Sequence, residues 1–86
     1  MVRNGLHINI LGTRLWYNNN HYNRLNGPSI EWLSGDKDYY QNGLLHRLDG
    51  PASICDAIIY WYYQGKRVRC NTQEEFERLI KLRLLW

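Results

Sequence analysis

The chain reads as a mainly β protein: an antiparallel meander of three imperfect hairpin units of 22–23 residues, closed by one C-terminal helix packed on the sheet. Three observations predict this. An aromatic pair followed by turn-forming residues recurs at a nearly constant interval. An Arg-Leu-Asn/Asp-Gly-Pro string recurs at that same interval. From Thr72 onward, apolar residues leave the alternating pattern for a helical one. The reading is a single domain, with the hairpin sheet over 1–71 and the helix over 72–86.

The aromatic string Trp16-Tyr17-Asn18-Asn19-Asn20 returns 23 residues later as Tyr39-Tyr40-Gln41-Asn42-Gly43, and 22 further on as Trp61-Tyr62-Tyr63-Gln64-Gly65. Two-residue hairpin turns of the primed types need positive φ, which Asn and Gly tolerate. Asn19-Asn20, Asn42-Gly43 and Gln64-Gly65 are therefore expected at hairpin tips. Between them lie Asn26-Gly27-Pro28 and Asp49-Gly50-Pro51, where proline fixes φ and punctuates the start of a strand. Further turns are expected at Ser34-Gly35-Asp36 and at the shorter Cys55-Asp56-Ala57, which accounts for the period shrinking by one. The strands so delimited are 6–11, 13–18, 21–25, 29–34, 37–41, 44–48, 52–55, 58–63 and 66–70. Leu6, Ile8 and Ile10 alternate, whereas Ile58–Tyr63 is apolar on both faces, so one face needs a cover. The helix supplies it. Thr72 is a good cap with Glu75 three residues on, acidic residues precede basic ones along the axis, and Phe76, Leu79, Ile80 and Leu84 form the apolar stripe. Leu82, Leu85 and Trp86 widen that stripe, and an exposed end there would support self-association through the helix.

Composition bounds the function. With 44% hydrophobic and 22% charged residues, the chain is globular rather than disordered. No apolar run reaches the ~18 residues of a membrane span, so no membrane partner is expected. The first residues alternate instead of forming an apolar core, so no secretory signal is expected. Cys55 and Cys70 are read as free thiols in preference to a disulfide. His7, His21 and His46 lack metal-ligand spacing. The glycines sit in hairpin turns, not between a strand and a helix as a phosphate loop requires, and no cofactor is expected. His46-Arg47-Leu48-Asp49 sets a base near an acid, yet the matching Asn23-Arg24-Leu25-Asn26 has neither group, so turn chemistry explains the pair. The expectation is a protein that is not an enzyme.

Asn42-Gly43-Leu44-Leu45-His46-Arg47-Leu48-Asp49-Gly50-Pro51-Ala52 and Trp61-Tyr62-Tyr63-Gln64-Gly65-Lys66-Arg67 resemble the MORN-like "WYxNGKxHRxDGPA" repeats of small proteins from tailed phages and large DNA viruses. Gln73-Glu74-Glu75-Phe76-Glu77-Arg78 is similar to the usual ending of such phage proteins. The resemblance spans most of residues 12–86. It departs where Tyr22 and Asn23 separate His21 from Arg24, and where the third unit lacks a following Gly-Pro. It implies a β-hairpin scaffold and a phage accessory protein acting in the host cytoplasm, with no defined activity.

A sheet rich in Tyr, Trp and Arg has the composition enriched at interface cores. With the viral setting that the resemblance implies, the expected function is stoichiometric binding and inhibition of a host protein, a defence protein first, with Trp32, Tyr39, Tyr40, Tyr62, Arg47, Lys66, Arg67 and Arg69 as the binding surface. The alternative is a nucleotide-messenger sponge or a single-stranded nucleic-acid binder, with tyrosines stacking and Lys/Arg neutralising phosphate. Alternation sets Tyr60 and Tyr62 on one face and Trp61 and Tyr63 on the other, and leaves open which pair faces outward.

Overall fold

In the computed structural model, which describes residues 2–83, ten strands precede one helix. The strands are β1 (Gly5–Ile8), β2 (Arg14–Asn18), β3 (His21–Tyr22), β4 (Ile30–Glu31), β5 (Lys37–Asp38), β6 (Tyr40–Gln41), β7 (Leu44–Leu45), β8 (Ser53–Cys55), β9 (Ile58–Tyr63) and β10 (Lys66–Val68). The helix is α1 (Gln73–Arg83). The main sheet runs β1-β2-β4-β5-β8-β9-β10, with β3 also paired to β2, while β6 and β7 form a separate pair. Every pairing is antiparallel. The protein is thus mainly β with a C-terminal helix.

The expected tips form by the expected chemistry. Asn19 and Asn20, Asn42 and Gly43, and Gln64 and Gly65 all have φ between 47° and 82°. They join β2 to β3, β6 to β7 and β9 to β10. Each tip also docks on a residue pair earlier in the chain. The Asn19, Asn42 and Gln64 N–H groups donate to Asn4 Oδ1, Asn23 Oδ1 and His46 Nδ1 at 2.9, 3.0 and 2.9 Å. The next N–H groups, of Asn20, Gly43 and Gly65, donate to the carbonyls of Arg3, Tyr22 and Leu45. A side-chain acceptor beside a backbone acceptor holds every tip against its predecessor.

Several strands are shorter than alternation suggests, for local reasons. The strand expected over 6–11 ends at Ile8 because Asn9 organises a loop. Its Oδ1 accepts from the N–H of Leu11 and of Thr13, and its carbonyl accepts from Gly12. The strand expected over 37–41 breaks at Tyr39 into β5 and β6. Tyr39 N–H goes to the Ala52 carbonyl, and Tyr40 N–H goes to the hydroxyl of fully buried Ser29, which donates back to the Tyr40 carbonyl at 2.7 Å. The strands expected over 21–25 and 44–48 end at Tyr22 and Leu45, ahead of Arg24 and Arg47, whose guanidinium groups lie over Trp16 and Tyr39.

The helix is capped as expected at Thr72, whose Oγ1 accepts from Glu75 N–H at 3.1 Å, a contact worth about 1 kcal/mol. Glu75 returns to the N–H of Asn71 instead of that of Thr72. Phe76 and Ile80 bury against Trp61, with Tyr63, Val68 and Cys70 packed around them. Trp61 Nε1 donates to Gln73 Oε1, and Gln73 Nε2 donates to the Leu48 carbonyl, both at 2.8 Å. Gln73 therefore pins the helix start to β9 and to the loop after β7. Leu84, expected in the apolar stripe, and Leu85 and Trp86, expected to widen it, lie outside the described residues.

Candidate docking surface

Strand alternation sorts the aromatic residues onto two faces. Trp16, Tyr39 and Trp61 precede Tyr17, Tyr40 and Tyr62 in the three aromatic strings, so the two sets point oppositely. On the first face each ring receives a lid. The Arg24 guanidinium lies 3.8 Å from the Trp16 ring centroid, and that of Arg47 lies 3.9 Å from the Tyr39 centroid. Arg24 also donates to the Pro28 carbonyl and pairs with Glu31. Arg47 donates to the Pro51 carbonyl and pairs with Asp49 at 2.9 Å. Gly27 and Gly50 complete each sandwich. A Cβ there would stand 2.9 and 2.7 Å from the guanidinium carbon, so these glycines provide close approach. Trp61 receives helix α1 instead.

Arg47 and Tyr39, both expected to bind a partner, are thus engaged with each other. They line an open groove of about 550 Å³ between the Arg24–Gly27 and Arg47–Asp49 turns, joined by Tyr40 and His46. Burial holds the His46 imidazole below its ordinary pKa. Its Nδ1 accepts from Gln64 while its ring packs on Tyr63. His46 is neutral and structural.

The second face carries a continuous strip of rings. His7 meets Tyr17 edge-on at 5.1 Å, Tyr17 meets Tyr22 at 5.1 Å, and Tyr22 meets Tyr40 at 5.3 Å. Tyr60 and Tyr62 continue this face on β9, since Trp61 and Tyr63 are the pair that packs toward the helix. The choice that alternation left open is settled by the helix. Arg3 lies over Tyr17 at one end, and Arg67, opposite Tyr62 in register, lies over Tyr60 at 4.2 Å at the other. A hydrogen bond with Tyr17 raises the Tyr22 pKa, and burial raises that of Tyr40, so both phenols stay neutral. Neutral phenols and flanking cations can accept a flat or polar ligand without paying to desolvate an anion.

Of the remaining expected residues, Lys66 pairs with Tyr63 and so takes the face opposite Arg67. Arg69 lines a shallow groove with Leu79 and Leu82 of the helix. Trp32 stands apart, in a groove of about 230 Å³ with Asp36, Asp38 and Cys55. Cys55 Sγ donates to Asp36 at 3.4 Å, and that carboxylate raises the thiol pKa, favouring the protonated form. Both cysteines are free. Among the described residues no cluster of His, Cys, Asp or Glu is arranged to hold a metal ion, and no helix is long and apolar enough to cross a membrane. Tyr40, Tyr62 and Arg67 are therefore the expected binding residues that the fold unites. Tyr17, Tyr22 and Arg3 belong with them, and the recurrence of the aromatic strings was the signal for Tyr17.

Comparison of the chain with protein-family models, with curated proteins and with solved structures returns no match.

Proposed function

We propose that this chain is a non-enzymatic phage accessory protein that binds a host protein, in the host cytoplasm, and inhibits it stoichiometrically. In this reading the scaffold is an array of three MORN-like hairpin units, and the docking surface is the tyrosine strip between Arg3 and Arg67. The supporting observation is the division of labour between faces. Arg24 and Arg47 are engaged by Pro28 and Glu31 and by Pro51 and Asp49, whereas the Tyr17, Tyr22 and Tyr40 rings form a half-exposed row, with half-exposed Tyr60 and Tyr62 on the same face of β9. Rigid aromatic rows flanked by arginine are the anchors that interfaces favour.

The test is affinity capture from bacterial lysate, with the Tyr62→Ser/Arg67→Glu variant as the comparison. A saturable protein partner, retained by the wild type and lost by a variant with an unchanged circular dichroism spectrum, is the expected result. Equal capture by both, or no partner, overturns the reading.

A second reading is favoured by one geometry: Arg67 stacked on Tyr60 beside Tyr62 is the pairing that holds a base or nucleotide, with stacking worth ~1–3 kcal/mol per base. Binding of a single-stranded oligonucleotide that weakens steeply with added salt would favour it, as would nucleotide absorbance released on denaturation.

A further inference from the structure

We propose that β1 is a self-pairing edge, through which two copies of the chain join antiparallel into one continuous sheet. β1 ends the path of the main sheet and, among the described residues, pairs only with β2. The backbone N–H and C=O groups on its other side are an open template for another strand. Leu6 and Ile8 share one face of it and are 48% and 61% exposed, and Ile10 beyond them is fully exposed. Soluble proteins blunt such edges with charge or proline. From Asn4 to Thr13 there is neither.

The occupant follows from the charges. The opposite edge, β10, carries Lys66 and Arg67 with Arg69 just after it, so two β10 edges repel. A β1-to-β10 contact is heterologous and leaves both outer edges open for endless growth. Only β1 against β1 is uncharged, self-complementary and closed by a twofold axis. A register centred on His7 sets Leu6 of one copy across from Ile8 of the other, joining four apolar side chains on one face. It also brings the two tyrosine strips end to end, because His7 is where each strip begins. Self-pairing does not depend on what that face binds.

Light scattering on the eluting protein tests it. The expected mass is twice the 10.4 kDa of the chain, halved by Ile8→Lys and unchanged by Leu82→Lys on the helix. Backbone hydrogen exchange of the wild type reads the same edge without substitution. Outward β1 amides should be protected in concentrated solution and lose protection on dilution. A monomeric wild type, a dimer that survives Ile8→Lys, a dimer broken only by Leu82→Lys, or β1 amides unprotected at every concentration would each overturn the inference.

Discussion

Trp16 and Trp61 occupy matching places in their strands, yet they are covered in different ways. Trp16 lies under a guanidinium held by Gly27 and the Pro28 carbonyl, and it stays half-exposed. Trp61 lies under Phe76 and Ile80 and is only 5% exposed. Tyr39 under Arg47 repeats the first arrangement. A cation over a ring contributes roughly 0.5–2 kcal/mol, while burying a large apolar side chain contributes about 1.5–3 kcal/mol. The helix end of the molecule is accordingly the stability centre. The Arg-lidded part is held by turn chemistry and by tips docked on their predecessors.

The largest expected effect tests that asymmetry. Phe76→Ala should destabilise by about 3–5 kcal/mol in chemical denaturation, because the cavity opens directly over Trp61. Its tryptophan emission should shift to the red. A loss no larger than that of an Arg-lid variant would contradict the comparison.

Gly50→Ala should cost about 1 kcal/mol, since the new methyl displaces the Arg47 guanidinium from Tyr39. In an Arg47→Ala background the same change should be nearly neutral, as a double-mutant cycle would read. A backbone explanation predicts equal costs in both backgrounds. Thr72→Ala should cost about 1 kcal/mol and fray the first turn of α1, visible as lost helical circular dichroism.

The smallest effect concerns pH. Burial lowers the folded-state pKa of His46, so the unfolded chain binds the proton more readily. Its stabilising contribution is complete above the unfolded value of about 6.5 and declines as pH falls below it. Asn23 makes the equivalent contact to the Asn42 tip through an amide oxygen. His46→Asn should therefore keep the contact to Gln64 and flatten stability between about pH 7 and pH 5. An unchanged pH slope, measured by thermal unfolding, would place the titration elsewhere.

Turn residues were legible because positive φ is a local demand. Asn42-Gly43 needs no distant contact to be recognised, and Thr72 with Glu75 announces a helix start within four residues. The break at Tyr39 was not legible, because Ser29, eleven positions away, supplies the hydroxyl that replaces a ladder partner for Tyr40. Gly50 read as a turn residue, although its role is to admit a guanidinium from three residues back. Tyr40, Tyr62 and Arg67 were legible as aromatic and basic candidates. Their grouping, and the separation of Trp32 and Lys66 from them, follows from strand register.

By itself the sequence determined a mainly β chain with a capped C-terminal helix, since alternation, turn conformation and capping act over a few residues. Tertiary structure alone decided which face of β9 is sealed, because Trp61 and Tyr60 are nearly equivalent until a helix arrives to choose between them. For Arg47 the sequence offered both a structural place over a neighbouring ring and turn carbonyls and a binding role, and the folded chain brought the Tyr39 ring and the Pro51 carbonyl to its guanidinium.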